Sequence, residues 1–564
     1  MDWQDLGLLL ETGKIVSLQC PLIERVATLN WIKQYLAASK NLPLYVWNLG
    51  QEEFKEYHLT GNKSHHFDPI KNDCLSRVVD FLIDCQEPGV FVVENLQSLI
   101  NYPNCSDSQF SDRTLLITAK LTNLFYSLAT DNLSRKYIIL LSTDGSELPL
   151  HLQSVIPTIW KPLPTTEEIT LIVEEFLVST VNWGFNLDKS SLILAASGLT
   201  QEEIKTGLRL GLQLSLGASA IDFLLSYKIN RLRNLNLEFI PQPNITDFGG
   251  LDLLKSAISK IRNKFTPEAR KCNLALPKGC LLVGPPGTGK TRAAKACAAQ
   301  LGFPLVSVDV GAIVAGGLKL LRELLQRVEA LAPCVVHFDE FDKLFAASSN
   351  SGEDVSNRQI LGTMLTWLQE KTSATYVVAT LNRLNSLPPE LTRAGRFDRI
   401  FYLGFPQAIE RKEIIQLHAA RFDPRYLVEN GPLTESEWRI LLNKTVNCTG
   451  AELEQMVCRA ADKIFDVALE EIKQKSSQLT TNNEQVVNIP IFIELQDLLE
   501  EREKIFPLYV RDTERVLAIE NQSRYVSEPS SSPDTSQYAP PLTTYWGQPV
   551  SQPSDSTIQK TILN

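Results

Sequence analysis

The sequence predicts an α/β fold in which a parallel sheet followed by a helical lid occurs twice. Three observations support this prediction. Between residues 248 and 406, short apolar runs alternate with helical patterns, as they do where helices connect parallel strands. Between residues 407 and 525 the pattern is helical throughout. The first 229 residues repeat the same order more weakly, so we expect a tandem arrangement of two modules.

These patterns divide the chain of 564 residues into consecutive segments. They are a first α/β core at 1–165, its helical lid at 166–229, a linker at 230–247, a second core at 248–406, a second lid with further helices at 407–525, and a tail at 526–564. In the first core, strands are predicted at 15–18, 44–49, 90–96, 137–141 and 155–160, and in its lid helices are predicted at 166–178 and 200–214. In the second lid, helices are predicted at 408–422, 434–443, 451–475 and 492–504.

The tail from residue 526 is rich in Ser, Pro, Thr and Gln and has no hydrophobic periodicity. Such a segment cannot bury enough apolar surface to offset the entropy of ordering it, so we expect disorder. Its aromatic residues Tyr538, Tyr545 and Trp546 are either a docking motif or a group without function.

A phosphate-binding motif provides the strongest functional signal. Residues 284–291 read GPPGTGKT and match the P-loop pattern, with an apolar run before them and a helical stretch at 292–301 after them. Glycines allow backbone N–H groups to surround phosphates, and the helix N-terminus adds a positive dipole. Lys290 would reach the β- and γ-phosphates, and Thr291 would bind Mg²⁺. We therefore expect ATP and Mg²⁺ as cofactors, bound by Gly284, Pro285, Pro286, Gly287, Thr288, Gly289, Lys290 and Thr291.

Further catalytic groups follow the next predicted strands. Asp339 and Glu340 end an apolar run, where Asp339 suits a Mg²⁺ contact and Glu340 can orient and deprotonate a water. His337 inside the same run is interpreted as a core histidine, because no other candidate ligands surround it. Asn382 ends the following strand, and its amide can sense the γ-phosphate and hold the water together with Glu340.

Two arginines lie on the loop after that strand. Arg393 and Arg396 cannot easily reach a nucleotide bound by their own chain, but a guanidinium supplied to a neighbouring subunit would stabilise its γ-phosphate. This interpretation requires an oligomer. The alternative is a solvated basic loop.

The first core lacks the chemistry of the second. Residues 18–25 read LQCPLIER where a P-loop would lie, without a glycine to open the backbone or a lysine to reach a phosphate. We interpret the first module as a duplicated copy that has lost nucleotide binding. An unrelated α/β domain is the alternative.

Composition restricts the class of function. The formal net charge is −10, which argues against a broad nucleic-acid or anionic-membrane surface. Ten cysteines are scattered without metal-ligand spacing. The acidic N-terminus does not resemble a signal peptide, and no apolar run is long enough to span a bilayer, so we expect a soluble intracellular protein without a membrane span.

The motifs GPPGTGKT, FDE at 338–340, ATLN at 379–382 and TRAGRFDR at 392–399 resemble the AAA ATPases. The resemblance covers residues 247 to about 475. It implies that Gly249, in the entry segment FGGL at 248–251, lies beside the adenine, and that Gly450 and Ala451 belong to the lid motif TGAEL at 449–453. It also implies a ring-shaped homo-oligomer, a hexamer, that hydrolyses ATP.

Three further segments, VDVGA at 308–312, ALAPC at 330–334 and LTWLQEK at 365–371, resemble the sequences of a divergent AAA family of cyanobacteria and plastids. That family is known as a hypothetical chloroplast reading frame. That resemblance implies a cyanobacterial cytoplasmic or stromal location and a link to photosynthetic regulation. The expected function is a remodelling or regulatory ATPase that acts on a protein partner. The alternatives are a nucleotide-gated scaffold with negligible hydrolysis and a nucleic-acid-handling ATPase.

One segment departs from the pattern of AAA rings that thread proteins. Those rings carry an aromatic–hydrophobic–Gly pore loop, whereas residues 311–319 read GAIVAGGLK and contain no aromatic side chain. A ring that pulls an extended peptide needs a bulky group to hold it. The segment therefore argues against threading.

Overall fold

The computed structural model describes residues 6–51, 53–58, 74–100, 108–131, 133–180, 188–215, 220–243, 249–345, 353–383, 391, 393, 395–428, 431–476, 489–523 and 525–539. The chain divides into two compact units, Met1–Asn230 and Arg231–Asn564.

The first unit contains a six-stranded sheet in the order β3-β2-β4-β5-β1-β6. All neighbouring strands are parallel except β3, which is antiparallel to β2. The strands are β1 Ile15–Gln19, β2 Leu44–Trp47, β3 Lys55–Glu56, β4 Gly89–Glu94, β5 Lys136–Ser142 and β6 Thr158–Trp160. Every residue of β1, β2, β4 and β5 is buried, because an apolar cluster packs on each face of the sheet.

Helices surround this sheet and form a separate cluster after it. They are α1 Leu6–Gly13, α2 Arg25–Trp31, α3 Cys74–Asp84, α4 Leu96–Ile100, α5 Ser108–Thr130, α6 Leu150–Gln153, α7 Thr166–Thr180, α8 Lys189–Ala196, α9 Gln201–Ser215 and α10 Ala220–Arg233. A 3₁₀ turn, Leu22–Glu24, precedes α2, and a π-helical turn, Ile32–Ala37, follows it. Helices α7 to α10 share their own apolar core, which corresponds to the predicted first lid.

The second unit contains a seven-stranded sheet in the order β13-β12-β8-β11-β10-β9-β7. Only β7, which pairs with β9, is antiparallel to its neighbour. The strands are β7 Leu237–Ile240, β8 Gly279–Val283, β9 Leu305–Val308, β10 Cys334–Phe338, β11 Thr375–Leu381, β12 Arg399–Tyr402 and β13 Glu528–Pro529.

The helices of this unit fall into a core group and a lid group. The core group is α11 Asp252–Arg262, α12 Pro267–Lys271, α13 Lys290–Leu301, α14 Val310–Ala330 and α15 Glu353–Glu370. The lid group and the helices after it are α16 Ala408–Ala419, α17 Glu435–Lys444, α18 Gly450–Ser476, α19 Leu495–Glu503, α20 Leu508–Arg511 and α21 Thr513–Ser523. Short 3₁₀ turns occur at Asn263–Phe265, Phe341–Phe345 and Pro424–Leu427.

Local sequence explains where several of these helices begin. Thr434 and Glu437 form a reciprocal capping box at the start of α17, and the side chain of Asp309 caps α14. Glycine ends α13, where Gly302 has a φ of 74°. Helix α14 is kinked at Gly317 (φ 67°, ψ −162°), within the segment whose missing aromatic argues against threading.

The two sheets share one strand order. Across the sheet, the five parallel core strands of the first unit lie side by side as β6-β1-β5-β4-β2, and those of the second lie as β12-β8-β11-β10-β9. If each set is numbered from first to fifth along its own chain segment, both sheets have the spatial order fifth-first-fourth-third-second. The predicted α/β fold with two parallel-cored sheets is therefore confirmed. The shared order also favours duplication over an unrelated first domain, because an independent α/β domain need not repeat the same crossovers.

Two parts of the second unit differ from the sequence-based expectation. Residues 237–240 lie in the predicted linker, yet they form β7 and pair with β9. The expectation of disorder from residue 526 does not hold for residues 526–539, which include β13 and make specific contacts described below. Tyr545 and Trp546 of the predicted aromatic group lie outside the described residues. No helix in the described ranges is both long and apolar enough to cross a membrane.

Candidate nucleotide-binding site

The turn between β8 and α13 places the P-loop at the carboxyl edge of the sheet. Gly287 and Gly289 have φ values of 81° and 91°, a region that glycine adopts without the steric cost of a Cβ. A Cβ on Gly284 would lie 2.0 Å from the carbonyl oxygen of Leu403, so only glycine fits there. Helix α13 begins at Lys290 directly after this turn, so its N-terminal N–H groups and dipole face the same edge.

Lys290 is held inside the loop by backbone acceptors. Its Nζ donates to the carbonyl oxygens of Gly284 and Pro285, each at 2.8 Å. Burial lowers the pKa of Lys290 to about 8, and the nearby carboxylate of Asp339 opposes this shift. The ammonium therefore lies where its charged form is costly unless an anion accompanies it.

The acidic residues predicted from the sequence lie beside the P-loop, and one hydroxyl fixes them. Asp339 Oδ2 accepts a hydrogen bond of 3.3 Å from Thr291 Oγ1. The Oγ1 of Thr380, at the end of β11, donates to Asp339 Oδ1 at 2.5 Å and accepts from the backbone N–H of Glu340 at 3.0 Å. Glu340 has a φ of 51°, which is unusual for a residue with a side chain and is typical of functional sites. Its carboxylate forms an ion pair with Lys343.

A cavity of about 520 Å³ joins the predicted groups. The sequence-predicted residues that line it are Gly249, Pro286, Gly287, Thr288, Gly289, Lys290, Thr291, Asp339, Glu340, Asn382, Gly450 and Ala451. Gly284 and Pro285 do not line the cavity, but their carbonyl oxygens accept the hydrogen bonds of Lys290 Nζ. His337 does not line it but is buried in β10, where burial lowers its pKa to about 4, as the core interpretation predicts.

The predicted trans arginines lie away from this cavity. Arg393 is exposed, Arg396 is half-buried, and neither lines the cavity. This arrangement is compatible with action on another subunit and equally with a solvated loop, so the role of both residues stays a prediction.

The entry segment and the lid are joined by two carboxylates of α16. Glu413 Oε2 accepts a hydrogen bond from the backbone N–H of Gly250 at 2.8 Å, and Glu410 Oε1 accepts one from Leu251 at 3.1 Å. On the other side of the lid, the N–H of Ala451 donates to the carbonyl oxygen of Gly287 at 3.2 Å. The lid therefore contacts both the entry segment and the P-loop.

Sequence reasoning missed a polar cluster between core and lid. Arg292, the residue after the P-loop threonine, makes two hydrogen bonds to Glu454 of α18 at 2.9 and 2.8 Å. Its other terminal nitrogen lies 3.0 Å from Nε2 of the buried His418 in α16. All three residues line the cavity. The only sequence signal was the position of Arg292 next to the motif, since the partners are more than 120 residues away.

The residues present fit a nucleoside triphosphate with Mg²⁺. Glycines with positive φ open the backbone beside a helix N-terminus. The described hydrogen bonds of the buried Lys290 ammonium go to backbone carbonyl oxygens and not to a carboxylate. The Thr291 hydroxyl and the Asp339 carboxylate lie together at the same edge of the sheet. The rest of the cavity has apolar walls, including Leu251 and Ile414, which suit a planar base.

In the first unit, ion pairs between side chains occupy the corresponding carboxyl edge of the sheet. Arg25, the first residue of α2, donates to both carboxylate oxygens of Glu94 at 2.6 and 3.0 Å, and Asn48 donates to the same carboxylate. Glu24 is buried, pairs with Lys161 at 2.6 Å, and accepts the backbone N–H of Glu202. Glu94, the acid at the end of β4, is thus bound to one guanidinium and one amide, so the described residues at this edge offer no equivalent of Lys290 and Asp339.

Comparison with known proteins agrees with this geometry. Residues 280–405 match the family described as ATPase family associated with various cellular activities (AAA), so the second unit contains an AAA domain, which implies ATP binding. A relative from Guillardia theta, named uncharacterized AAA domain-containing protein ycf46, is 33% identical over 361 residues, covering 62% of this chain and 69% of the relative. A relative of the same name from Pyropia yezoensis is 28% identical over 505 residues, covering 86% of this chain and 96% of the relative.

The chain belongs to the ycf46 family of AAA domain-containing proteins. The resemblance to AAA ATPases drawn from the motifs is therefore confirmed. Among solved structures, the AAA domain of FIGL-1 in complex with ADP is 20% identical and has a TM-score of 0.43, covering 53% of this chain and 97% of that chain.

The Thr380 hydroxyl should control turnover through the two acids. Thr380→Val removes both hydrogen bonds while keeping the side-chain volume. We expect kcat to fall on the order of tenfold, which corresponds to the loss of about one hydrogen bond to a charged group, and we expect the affinity for ATP to stay nearly unchanged. Thr380→Ser keeps the hydroxyl and should retain most of the activity. Steady-state phosphate release and equilibrium ATP binding would measure the two effects, and wild-type turnover by the valine variant would contradict the positioning role.

The lowered pKa of Lys290 predicts proton uptake on ATP binding. Above pH 8 the free protein holds this amine increasingly neutral, whereas a bound triphosphate favours the charged form. The affinity for ATP should therefore fall by up to about tenfold per pH unit above pH 8 and be flat near pH 7. In the Lys290→Arg variant the guanidinium stays charged, so any remaining binding should lose this dependence. Calorimetry in buffers of different ionisation heat measures the proton count, and a wild-type affinity independent of pH from 7 to 9.5 would refute it.

Proposed function

We propose that this chain is an ATPase that binds ATP and Mg²⁺ in its second unit and hydrolyses ATP there. The observation that supports this proposal is the single cavity that brings Lys290, Asp339, Glu340 and Asn382 together with the lid residue Ala451. The P-loop, the strand-end acids and the polar residue on the next strand have complementary roles in one reaction.

Each residue has a distinct role in the proposed reaction. Lys290 would neutralise the β- and γ-phosphates, and Thr291 and Asp339 would hold Mg²⁺. When bound, that ion supplies positive charge to the oxygens on which negative charge develops. Glu340 would orient the attacking water and accept its proton, with Asn382 holding the water in line. Because Glu340 is paired with Lys343, this carboxylate must leave Lys343 or share it before it can contact the water.

The proposed active form is a homo-oligomeric ring, as AAA membership suggests. Arg393 and Arg396 would complete the site of the neighbouring subunit, and a hexamer is the proposed size. The absence of an aromatic side chain between residues 311 and 319 favours remodelling or regulation of a bound partner over threading.

We further propose that the partner is a protein and that the chain acts in a cyanobacterial cytoplasm or a plastid stroma, with a link to photosynthetic regulation. The acidic net charge of −10 disfavours the nucleic-acid-handling alternative. Phosphate-release assays with and without DNA or RNA separate the alternatives, since a scaffold would show negligible release and a nucleic-acid ATPase would be stimulated.

Two variants separate binding from hydrolysis. Lys290→Ala should abolish ATP binding because the triphosphate loses its buried cation. Glu340→Gln should bind ATP normally and lose at least about 10²-fold in turnover, since the carboxylate acts only on the water. Binding and phosphate release measured on the same preparations test both expectations, and turnover persisting in both variants would overturn the assignment of this site.

Mixing two inactive variants tests action in trans. An Arg393→Ala subunit keeps its own P-loop, and a Lys290→Ala subunit keeps Arg393, so mixed rings should regain part of the turnover. The gain should be large because such guanidinium groups contribute on the order of 10³-fold or more in related nucleotide enzymes. A mixture of Arg393→Ala with the double variant Lys290→Ala/Arg393→Ala is the matched control and should stay inactive. Equal recovery in both mixtures would contradict the trans role.

A further inference from the structure

A segment that follows the lid helices returns to the core sheet. We name residues 526–539 the C-terminal strap. Within it, β13 pairs in parallel with β12, with Phe401 opposite Glu528 and Tyr402 opposite Pro529. Arg399 of β12 binds both carboxylate oxygens of Glu528. The strap therefore adds an edge strand next to β12, which in turn neighbours the P-loop strand β8.

Backbone groups fix the strap to the core. The N–H of Ser530 donates to the carbonyl oxygen of Tyr402 at 3.3 Å, and the carbonyl oxygen of Ser530 accepts from the N–H of Leu254 in α11 at 3.0 Å. The N–H of Ser532 donates to Asp252 Oδ1 at 2.9 Å. Leu254 and Asp252 lie in the first turn of α11, just after the entry segment, so the strap is held at the entry end of the cavity.

Other contacts fix the strap to the lid. Ser531 Oγ donates to Glu410 Oε1 at 2.6 Å, the same oxygen that accepts the N–H of Leu251. Gln407 Nε2 donates to the carbonyl oxygen of Ser532 at 2.8 Å, and the N–H of Ile409 donates to Asp534. Farther along, Tyr538 packs against the apolar core of the lid. The strap thus connects core and lid through Glu410.

Part of the strap forms a wall of the cavity. Pro529, Ser530 and Ser531 line it together with Gly249 and Leu251. Lys290 and Asp339 mark the end of the cavity that suits phosphates, whereas the described hydrogen bonds of the strap reach the first turn of α11 and Glu410, the acceptor of the Leu251 N–H. A triphosphate seated on the P-loop would therefore direct its base toward the wall to which the strap contributes.

We propose that the C-terminal strap is part of the nucleotide-binding site and recognises the base end of a nucleoside triphosphate. This proposal rests on the proposed ATP binding in the second unit. Pro529 adds apolar surface for a planar base, and the Ser531–Glu410 hydrogen bond holds the entry segment and lid closed around it. The strap therefore contributes to the binding of ATP but not to that of a triphosphate without a base.

Binding of ATP and of inorganic tripolyphosphate, each with Mg²⁺, tests this proposal. The measured quantity is the dissociation constant of tripolyphosphate divided by that of ATP, determined for the full chain and for truncated chains. Removing residues 526–564 should weaken ATP binding about tenfold or more and leave tripolyphosphate binding nearly unchanged. The ratio should therefore fall by the same factor. Removing only residues 540–564, the matched control, should preserve the ratio of the full chain.

A point variant covers the case in which the longer truncation fails to fold. Ser531→Asp places a carboxylate beside Glu410 and should detach the strap by charge repulsion, lowering the ratio as the truncation does. Ser551→Asp adds the same charge outside the strap and should not change it. An unchanged ratio in Ser531→Asp, with ATP still bound, overturns the strap proposal alone. A full chain that binds neither ATP nor tripolyphosphate overturns the proposed function, and the strap proposal with it.

Discussion

The close approach of Gly284 to the carbonyl oxygen of Leu403 is the constraint on which the second unit depends. A Cβ on residue 284 would lie 2.0 Å from that oxygen and would force β8 away from the segment that follows β12. That packing fixes the turn before α13, and the turn fixes Lys290. Because β10 and β11 end at the same sheet edge, the Asp339 carboxylate then lies within hydrogen-bonding reach of both the Thr291 hydroxyl and the Thr380 hydroxyl.

Charge complementarity explains the contrast between the two units. In the second, Lys290 is buried with backbone acceptors, so the positive charge remains available to an anion. In the first, Arg25 is already neutralised by Glu94, and Lys161 by Glu24. Separating a buried pair leaves an uncompensated charge, which typically costs about 3–5 kcal/mol. The same strand order thus supports a candidate binding site in one unit and a closed polar edge in the other.

The sequence predicted those parts of the structure that local pattern determines. The strands around Val92 and Ile139 and the helix after the P-loop follow from apolar runs and a motif confined to one turn. The strap could not be predicted, because its order comes from backbone bonds to Tyr402 and Leu254, far away in sequence, rather than from its own composition. The same holds for Glu410, whose role as a common acceptor depends on two segments distant in sequence, those of Leu251 and Ser531.

The most direct test of this account is the number of nucleotides bound per chain. Native mass spectrometry or equilibrium dialysis of the full chain with ATP, Mg²⁺ and the Glu340→Gln substitution to prevent turnover would count them. We expect one nucleotide per chain, and none when Lys290→Ala is added. Two nucleotides per chain, or one that persists without Lys290, would show that the first unit binds nucleotide and would contradict the account.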